Sequence, residues 1–333
     1  MHTQTRASWC TLTSVVKRLL ALAVLCVASG TALPAEPGFA SRRVEIVVSA
    51  AAGATTDLLG RLIAEKLAPH IGHPVIVINK PGANQQIGAD YVSRAAPDGH
   101  TLLLAHSALV ANPVMFKAVK MDLNRDLTPV AQLIETPWVF SVPDQLPVRT
   151  VSEFIAYAKA NPGKVNFGST GGTVTLDTKV FMARAGIEAE IVNYAGGAPL
   201  VAALATNEVQ AALSSVRSVN AMSGRVRLLA VTSPRRSDLV PHLPSVSESA
   251  LPGFEGASLW FGLWAPSGMA PPLAQKINRE INAILAMPEV KQRVVDTMTC
   301  DIVGGPPEQL RRAVSADLDY YRRAAQAAKL EAQ

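Results

Sequence analysis

Two loops rich in glycine, serine and threonine are the segments of this sequence best suited to bind a ligand. Gly53-Ala54-Thr55-Thr56-Asp57 follows the apolar strand pattern Val44–Ser49 and precedes a helical pattern, and Gly168–Thr173 has the same position further along the chain. The start of a helix presents free backbone N–H groups and the positive end of the helix dipole, which attract anions. The two loops together predict a carboxylate site lined by amides and hydroxyls.

Each loop also has a purely structural interpretation. In the first loop, Thr55 or Thr56 could cap the helix, with Asp57 in its first turn. In the second loop, glycine could serve only a turn that needs positive φ. No lysine follows in the way a Walker loop requires and G-x-G-x-x-G is absent, so the sequence argues against a nucleotide site.

Other residues with reactive side chains give weaker signals. His106 follows the predicted strand Thr101–Ala105, where it could donate to a ligand carboxylate or serve only the loop structure. The remaining histidines show no paired spacing with Cys, Asp or Glu, so no metal site and no cofactor are predicted. Cys300 has no histidine near it in sequence, and a buried inert thiol is the expectation.

The elements that must position these loops alternate between strands and helices. Val44–Ala105 has a βαβαβ pattern, which requires a parallel sheet. Loops at the carboxyl ends of such strands converge on one crevice, so Ala50–Asp57, Pro81–Gln86 and His106–Ser107 should line a ligand site. The alternation repeats from residue 165 to residue 232, including a helix Leu176–Ala185. Trp138–Val142 is typical of a strand that crosses between two lobes, and a second crossing would imply a hinge.

The N-terminus has the pattern of a secretory signal peptide. Arg6, Lys17 and Arg18 precede the short apolar run Leu19–Val27, and small residues follow it. Removing residues 1–35 takes three of the 31 basic residues and none of the 26 acidic ones, which lowers the formal charge from +5 to +2. With an aromatic fraction of 5% and no basic stripe, a nucleic-acid partner is not expected. We expect a soluble monomer that is not embedded in the membrane.

Several further motifs occur in a combination that is specific to one family. They are Gly53-x-x-x-Asp57, Asn79-Lys80-Pro81-Gly82-Ala83, Ala96-Pro97-Asp98-Gly99, Tyr194-x-Gly196-Gly197 and Ala265-Pro266-Ser267-Gly268. With these motifs the chain resembles the periplasmic solute-binding receptors of tripartite tricarboxylate transporters, often called Bug receptors. The resemblance implies an α/β, two-lobed periplasmic-binding-protein fold, type II-like, in which each lobe is a mostly parallel sheet flanked by helices and two crossing strands form a hinge. It implies a signal peptide at 1–35, a first lobe at 41–138, a second lobe at 139–261 and a return to the first lobe at 262–333.

The resemblance also implies where a ligand binds. In the family these loops hold a carboxylate through amides, hydroxyls and bridging waters, with Asp57 organising a helix start. The implied binding residues are Ala51, Ala52, Gly53, Thr55, Thr56, Asn84, Gln85, His106, Ser169, Thr170, Thr173, Tyr194 and Ser215. Thr175 and Ala195 stand where the family usually has histidine and lysine, and Ser214 or Ser215 stands where it has aspartate. These departures favour a small monocarboxylate or an acid with an uncharged tail.

The predicted function is therefore capture of a small organic acid in the periplasm for the membrane components of a tripartite tricarboxylate-type transporter, without catalysis. One alternative is a sensor module that presents the bound ligand to a membrane kinase. A weaker alternative is a periplasmic serine hydrolase using Ser107 or Ser169, which no G-x-S-x-G elbow and no paired acid and base support.

Overall fold

The computed structural model describes residues 39–222, 224–256 and 258–327. The signal peptide predicted at 1–35 lies outside these residues. The sequence pattern also predicts a final helix from about Pro307 to Leu330, and its last residues lie outside them too. Within the described ranges, no helix is both long enough and apolar enough to cross a bilayer.

The first part of the chain, from residue 44 to residue 126, alternates between strands and helices. Its elements are β1 (Val44–Val48), α1 (Thr55–Ile71), β2 (Val75–Asn79), α2 (Gln86–Ser93), β3 (Thr101–His106), a 3-10 helix (Ser107–Ala111), α3 (Asn112–Met115) and α4 (Leu123–Asp126). Helix α1 buries Leu59, Leu62, Ile63 and Leu67, whose spacing of three and four residues places them on one face. The short helices after β3 were not predicted from the sequence.

The remaining elements end in a 21-residue helix. They are β4 (Leu127–Pro143), α5 (Val151–Ala160), β5 (Asn166–Ser169), α6 (Gly172–Ala185), β6 (Glu190–Asn193), α7 (Gly197–Ala205), β7 (Ala211–Ser215), α8 (Val216–Asn220), β8 (Val226–Val231), α9 (Val246–Ser249), β9 (Ser258–Pro266), α10 (Pro271–Ala286), α11 (Pro288–Met298), β10 (Asp301–Ile302) and α12 (Pro307–Ala327).

The strands form one continuous path with the order β2-β1-β3-β9-β4-β7-β5-β6, and β10 and β8 also pair with β4. We call β1, β2, β3, β9, β10 and residues 127–137 of β4 the first half-sheet, and β5 to β8 with residues 138–143 of β4 the second half-sheet. The outer strands of both half-sheets pair in parallel, as predicted. The pairs formed by β4 and β9 are antiparallel.

Strand β4 joins the two half-sheets. It pairs with β9 from Leu127 to Pro137 and with β7 from Trp138 onward, so its partner changes between Pro137 and Trp138. The predicted strand covered only Trp138–Val142, because Pro129, Pro137 and several polar residues interrupt the apolar pattern upstream. Register shifts in the β4–β9 pairing accommodate this part of the strand.

Each half-sheet has its own buried core. The first core packs β1, β3, β4 and β9 against α1, α10 and α11. The second core is aromatic, with Phe140 at its centre and the ring centroids of Phe154 and Phe181 5.0 and 4.7 Å away. Helix α12 packs against the first half-sheet, and it also reaches the second, where the Tyr320 hydroxyl donates a 2.7 Å hydrogen bond to Oδ1 of Asp177 in α6.

Candidate ligand-binding cleft

A cavity of about 510 Å³ lies between the ends of the two half-sheets, and we call it the cleft. The first half-sheet contributes the start of α1, Asn84, His106, and Leu259 and Phe261 of β9. The second half-sheet contributes the start of α6, the start of α7, Trp138 of β4 and the end of β7. The volume falls within the range of about 300–1,000 Å³ that is typical of small-molecule sites.

Three helices of nine residues or more begin at the cleft without a side-chain cap. Their N-cap residues are Ala54 for α1, Gly171 for α6 and Gly196 for α7, and none of these side chains can accept a hydrogen bond from the helix. The first amides of a helix have no partner within the helix, so these ends present N–H groups to the cleft. Helix α7 presents fewer, because Pro199 in its first turn has no N–H.

Helices that begin away from the cleft are closed by other means. Thr150 caps α5 and Ser245 caps α9, each by accepting a hydrogen bond from the residue three positions later. Helices α10 and α11 begin with proline. Proline has no backbone N–H, so one of the amides that would otherwise lack a partner is not present. Among the described helices of nine residues or more, those that begin with neither a side-chain cap nor a proline are therefore the three at the cleft.

Asp57 holds the start of α1 in place. Its carboxylate accepts hydrogen bonds from the backbone N–H of Gly53 at 2.9 Å, from Nδ2 of Asn79 at 2.9 Å and from Nε of Arg61 at 3.0 Å. Burial opposes ionisation, but the hydrogen bonds from Arg61, Gly53 and Asn79 outweigh it and lower the pKa of Asp57. Because its oxygens are committed to the loop, Asp57 serves the geometry of the helix start.

The start of α6 is organised by Ser169 and Gly171. Ser169 is fully buried, and its hydroxyl accepts from the backbone N–H of Gly171 at 3.0 Å and lies 2.7 Å from the Thr175 hydroxyl. Gly171 has a φ of 83°, a conformation that glycine adopts without strain. The predicted helix began at Leu176, whereas α6 begins at Gly172, because Thr173, Val174 and Thr175 have low intrinsic helix propensity and concealed its first turn.

His106 is a neutral hydrogen-bond donor at the cleft. Its Nδ1 lies 3.4 Å from the backbone N–H of Ala108 and 3.3 Å from Nε2 of Gln85, both of which donate. Because Nδ1 of His106 accepts both hydrogen bonds, the ring proton is assigned to Nε2 of His106. Burial lowers the pKa of His106 to about 4, so the imidazole is uncharged near neutral pH. Among the described residues no partner is found for Nε2, which leaves this N–H for a ligand.

The structure brings together seven of the predicted binding residues, which are Thr55, Thr56, Asn84, His106, Thr170, Thr173 and Ser215. Six others do not line the cleft. Ala51, Ala52 and Gly53 lie exposed on the outer side of the loop. Gln85 and Ser169 are buried behind it, where their side chains hold neighbouring loop atoms. The Tyr194 hydroxyl points to Glu208, to which it donates at 2.8 Å.

Two groups of cleft residues were not predicted. The start of α7, Gly196–Gly197, follows β6 in the same way that the predicted loops follow β1 and β5, and this position was the available signal. The apolar wall, defined here as Trp138, Leu213, Leu259 and Phe261, gave no signal, because an apolar residue in a strand is far more often part of a core.

The remaining reactive residues lie elsewhere or have other partners. Cys300 is buried, as predicted, and burial raises the pKa of its thiol to about 12. In the described ranges, no group of three His, Cys, Asp or Glu side chains is arranged to hold a metal ion.

Comparisons with known proteins agree with this architecture. The family model of the tripartite tricarboxylate transporter family receptor, TctC, matches residues 59–328. Protein BugT of Bordetella pertussis is 30% identical over 309 residues, which cover 90% of this chain and 94% of BugT.

Two solved structures of carboxylate complexes are similar over most of the chain. The R. palustris protein Rpa4515 with adipate has a TM-score of 0.77 and 30% identity, covering 88% of this chain and 99% of its own. MatC from Rhodopseudomonas palustris with bound malate has a TM-score of 0.73 and 27% identity, covering 85% of this chain and 99% of its own. This chain belongs to the tripartite tricarboxylate transporter receptor family, whose members are two-lobed solute-binding proteins.

Proposed function

We propose that this protein is a periplasmic receptor that binds a small organic acid in the cleft and delivers it to the membrane components of a tripartite tricarboxylate transporter. The observation that carries the proposal is the convergence of α1 from the first half-sheet with α6 and α7 from the second, all without a side-chain cap. Adipate and malate in the related structures are acids of the same chemical class.

The carboxylate would lie between the starts of α1 and α6. The start of α6 lies close to the first half-sheet, because a Cβ built on Gly172 would be 3.7 Å from Oδ1 of Asn84 in the loop after β2. A carboxylate there would receive amides from both helices, together with the Thr170 hydroxyl and the Nε2–H of His106. Charge-assisted hydrogen bonds of this kind are about twice as strong as neutral ones.

Ligand binding would draw the two half-sheets together, since neither encloses the carboxylate alone. The change of partners in β4 between Pro137 and Trp138 supports the predicted lobe boundary at 138. Strand β9 pairs with the first half-sheet from Ser258, four residues before the predicted return at 262. We propose these two positions as the hinge.

The serine hydroxyls considered for hydrolysis are engaged in structure. The Ser107 hydroxyl donates to the carbonyl of Ser258 at 3.1 Å, and the Ser169 hydroxyl holds the start of α6. Nδ1 of His106 accepts hydrogen bonds, so no described carboxylate orients this ring as a general base. A binding role fits these contacts better than catalysis.

The first experiment compares an acid with its own amide, by calorimetry and by thermal unfolding. At a concentration of about 100 times its dissociation constant, a ligand stabilises the folded protein by roughly 2.7 kcal/mol. The acid should produce this shift and the amide should not. Equal binding of both would contradict the carboxylate site.

A matched pair of variants localises the site. Thr170→Val removes a hydroxyl in the cleft, and Thr206→Val removes an exposed hydroxyl outside it. A hydrogen bond to an ion contributes about 1.5–3 kcal/mol, so Thr170→Val should weaken acid binding roughly tenfold or more. Thr206→Val should bind like the parent protein.

Delivery and location need measurements in cells. A strain without this protein should lose uptake of the labelled acid, and the parent protein should restore it better than Thr170→Val. If uptake persists while a response to the acid is lost, the sensor alternative is correct. The intact mass of protein from the periplasm should correspond to a chain that begins near Leu33 or Glu36.

A further inference from the structure

The cleft contains no formally charged side chain. Among the residues that line it in the described part of the chain there is no Asp, Glu, Lys or Arg, and His106 is neutral near pH 7. A ligand group that is charged must therefore be stabilised by helix starts and hydroxyls alone. A carboxylate between α1 and α6 meets amides from both half-sheets.

One cation, Arg217, contacts the start of α1 at that same end of the cleft. Arg217 does not line the cavity, but its Nη1 donates a 3.4 Å hydrogen bond to the hydroxyl of Thr55 at the start of α1. It can strengthen the positive potential around the first carboxylate.

The body of the ligand would meet the apolar wall mainly at Trp138 and Leu259, since Leu213 and Phe261 are almost fully buried. Leu259 and Phe261 are two positions apart on β9, and side chains two apart on a strand point to the same face. Trp138 is paired with Ser215 on β7, and Leu213 lies two positions from Ser215, so these side chains also share a face. Trp138 is only partly buried, which leaves part of its indole exposed in the cleft.

The hydroxyls beside this wall bond one another, which leaves one O–H of the Ser215–Ser218 pair to donate elsewhere. The Ser215 and Ser218 hydroxyls lie 2.8 Å apart, and the Ser214 hydroxyl lies 2.7 Å from that of Ser141. A second carboxylate would have to rest on the start of α7, which Pro199 deprives of one N–H. Placing a carboxylate near an apolar surface without adequate donors is unfavourable.

We propose that the cleft selects carboxylic acids whose body is an apolar ring or a branched hydrocarbon, and that Trp138 is the specificity-determining residue. The inference rests on the proposed function and narrows its ligand class. Acids whose body carries hydroxyls or a second carboxylate bind more weakly, because their polar groups meet the apolar wall. The indole contributes a flat surface on which a ring can stack.

The test measures affinities for two pairs of probes by calorimetry. Phenylacetate is compared with malate, and hexanoate with adipate, which differ only in the second carboxylate. The parent protein should bind phenylacetate at least tenfold more tightly than malate, and hexanoate more tightly than adipate. These ratios depend on the ligand-facing surface and are insensitive to a small uniform change in stability.

Three variants assign the preference to Trp138. Trp138→Leu removes the ring and should reduce the phenylacetate-to-malate ratio to about threefold or less, whereas Trp138→Phe should retain most of it. Trp260→Phe is the matched control, because the Trp260 indole donates to Asp317 outside the cleft at 2.8 Å. It should leave the ratio unchanged, and circular dichroism should show the parent fold for all three.

Each remaining outcome has a distinct meaning. If malate or adipate binds as tightly as its apolar counterpart, or if Trp138→Leu retains the full ratio, the inference is wrong while acid capture stands. If no acid in the panel binds better than its amide, the proposed function fails, and the inference fails with it.

Discussion

The cleft and a second cavity are lined by neighbouring residues of the same strands, yet they differ completely in charge. The second cavity has a volume of about 760 Å³, and we call it the charged cavity. Pro137 and Ser258 line the charged cavity, whereas Trp138 and Leu259, the next residues along β4 and β9, line the cleft. The charged side chains of this cavity are Glu135, Arg235, Arg236, Asp238, Glu255, Asp301, Asp317, Asp319 and Arg323.

The difference shows two ways of placing charge in one fold. In the charged cavity, carboxylates crowd one another and the pKa values of Glu135, Asp301 and Asp317 are raised, mainly by burial. In the cleft, helix starts supply partial positive charge without any ionised side chain. An anion can enter the cleft without competing with a fixed carboxylate, and a fixed cation does not have to be desolvated.

Adding one negative charge to the cleft should produce the largest effect. Ser215 caps α8 by accepting from the backbone N–H of Ser218, and both aspartate and asparagine are good N-caps. Two like charges about 6 Å apart repel by roughly 3 kcal/mol at an effective dielectric constant of 20, so Ser215→Asp should lose about 100-fold in acid affinity.

The control for this change is Ser215→Asn, which has the same shape without the charge. Calorimetry should place its affinity within a few-fold of the parent protein. Equal losses in the two variants would mean that shape, and not charge, governs this end of the cleft.

In the charged cavity, neutralising a carboxylate should change stability instead of affinity. Asp317 accepts a hydrogen bond from Nε1 of Trp260, and burial, opposed by that bond, raises its pKa from 3.8 to about 7. The folded state therefore binds a proton more readily than the unfolded state, and this group costs stability as the pH rises from about 4 to about 7. The whole shift in the pKa of Asp317 corresponds to roughly 4 kcal/mol in the free energy of unfolding. We expect about half of this cost, because water screens a carboxyl that is only partly buried.

Asp317→Asn removes this cost and keeps an oxygen that accepts from Trp260. The variant should be more stable than the parent by about 2 kcal/mol at pH 8, and the advantage should vanish near pH 4. Urea unfolding across this range measures it, and ligand affinity serves as the control. A constant difference at every pH would show that the Asp317 carboxyl does not titrate as described.

His106 should have an intermediate effect that lies entirely in the cleft. His106→Asn keeps an acceptor near the position of Nδ1 but loses the Nε2 donor, so acid affinity should fall about tenfold. His106→Gln retains a donor near the position of Nε2 and should lose less. Because the pKa of His106 is lowered to about 4, parent affinity should vary less than twofold between pH 6 and pH 8. A clear rise in affinity toward pH 6 would indicate that the imidazolium binds the acid.

Protonation of His106 at low pH should also lower the stability of the folded protein. Its pKa lies below the unfolded value of 6.5, so the unfolded state binds the proton first, and stability falls as the pH decreases from about 6.5 toward 4. The His106→Gln variant should lack this component. Parallel slopes for the two proteins in this range would contradict the burial of a neutral ring.

Patterns in the sequence predicted the fold well where periodicity was strong. The unit from β1 to β3 and the parallel pairing of the outer strands follow from the alternation of short apolar runs with amphipathic helices. The length of β4 was underestimated, because Pro129 and Pro137 interrupt the apolar pattern, whereas the strand continues through register shifts in its pairing with β9. That pairing depends on a partner some 130 residues away, which no local pattern reveals.

The candidate site was predictable as a set of loops, less so as individual side chains. Strand ends identified Thr170 and His106 at the cleft, but the same rule included Ser169, whose hydroxyl bonds Gly171. The family resemblance likewise included Tyr194, whose hydroxyl bonds Glu208. The direction of a side chain at a strand end depends on packing around it. Trp138 was missed for the converse reason, since nothing in its neighbourhood distinguishes an exposed indole from a buried one.

The smallest effect on binding is expected at Cys300, which precedes Asp301 of the charged cavity. The thiol is buried, and its Sγ donates to the carbonyl of Met298 at 3.4 Å. Serine can keep that hydrogen bond, whereas alanine loses it and leaves a small void, so Cys300→Ala should cost about 1 kcal/mol more than Cys300→Ser.

Burial and the negative charge of Asp301 raise the pKa of the thiol to about 12, so the folded protein should resist thiol reagents at pH 8. Acid affinity should stay within twofold of the parent in both variants, because this region adjoins the charged cavity and supplies no group to the cleft. A larger loss of affinity in either folded variant would mean that the two cavities are coupled through the strands they share. The cleft would then not set affinity independently of the charged cavity, which sets stability.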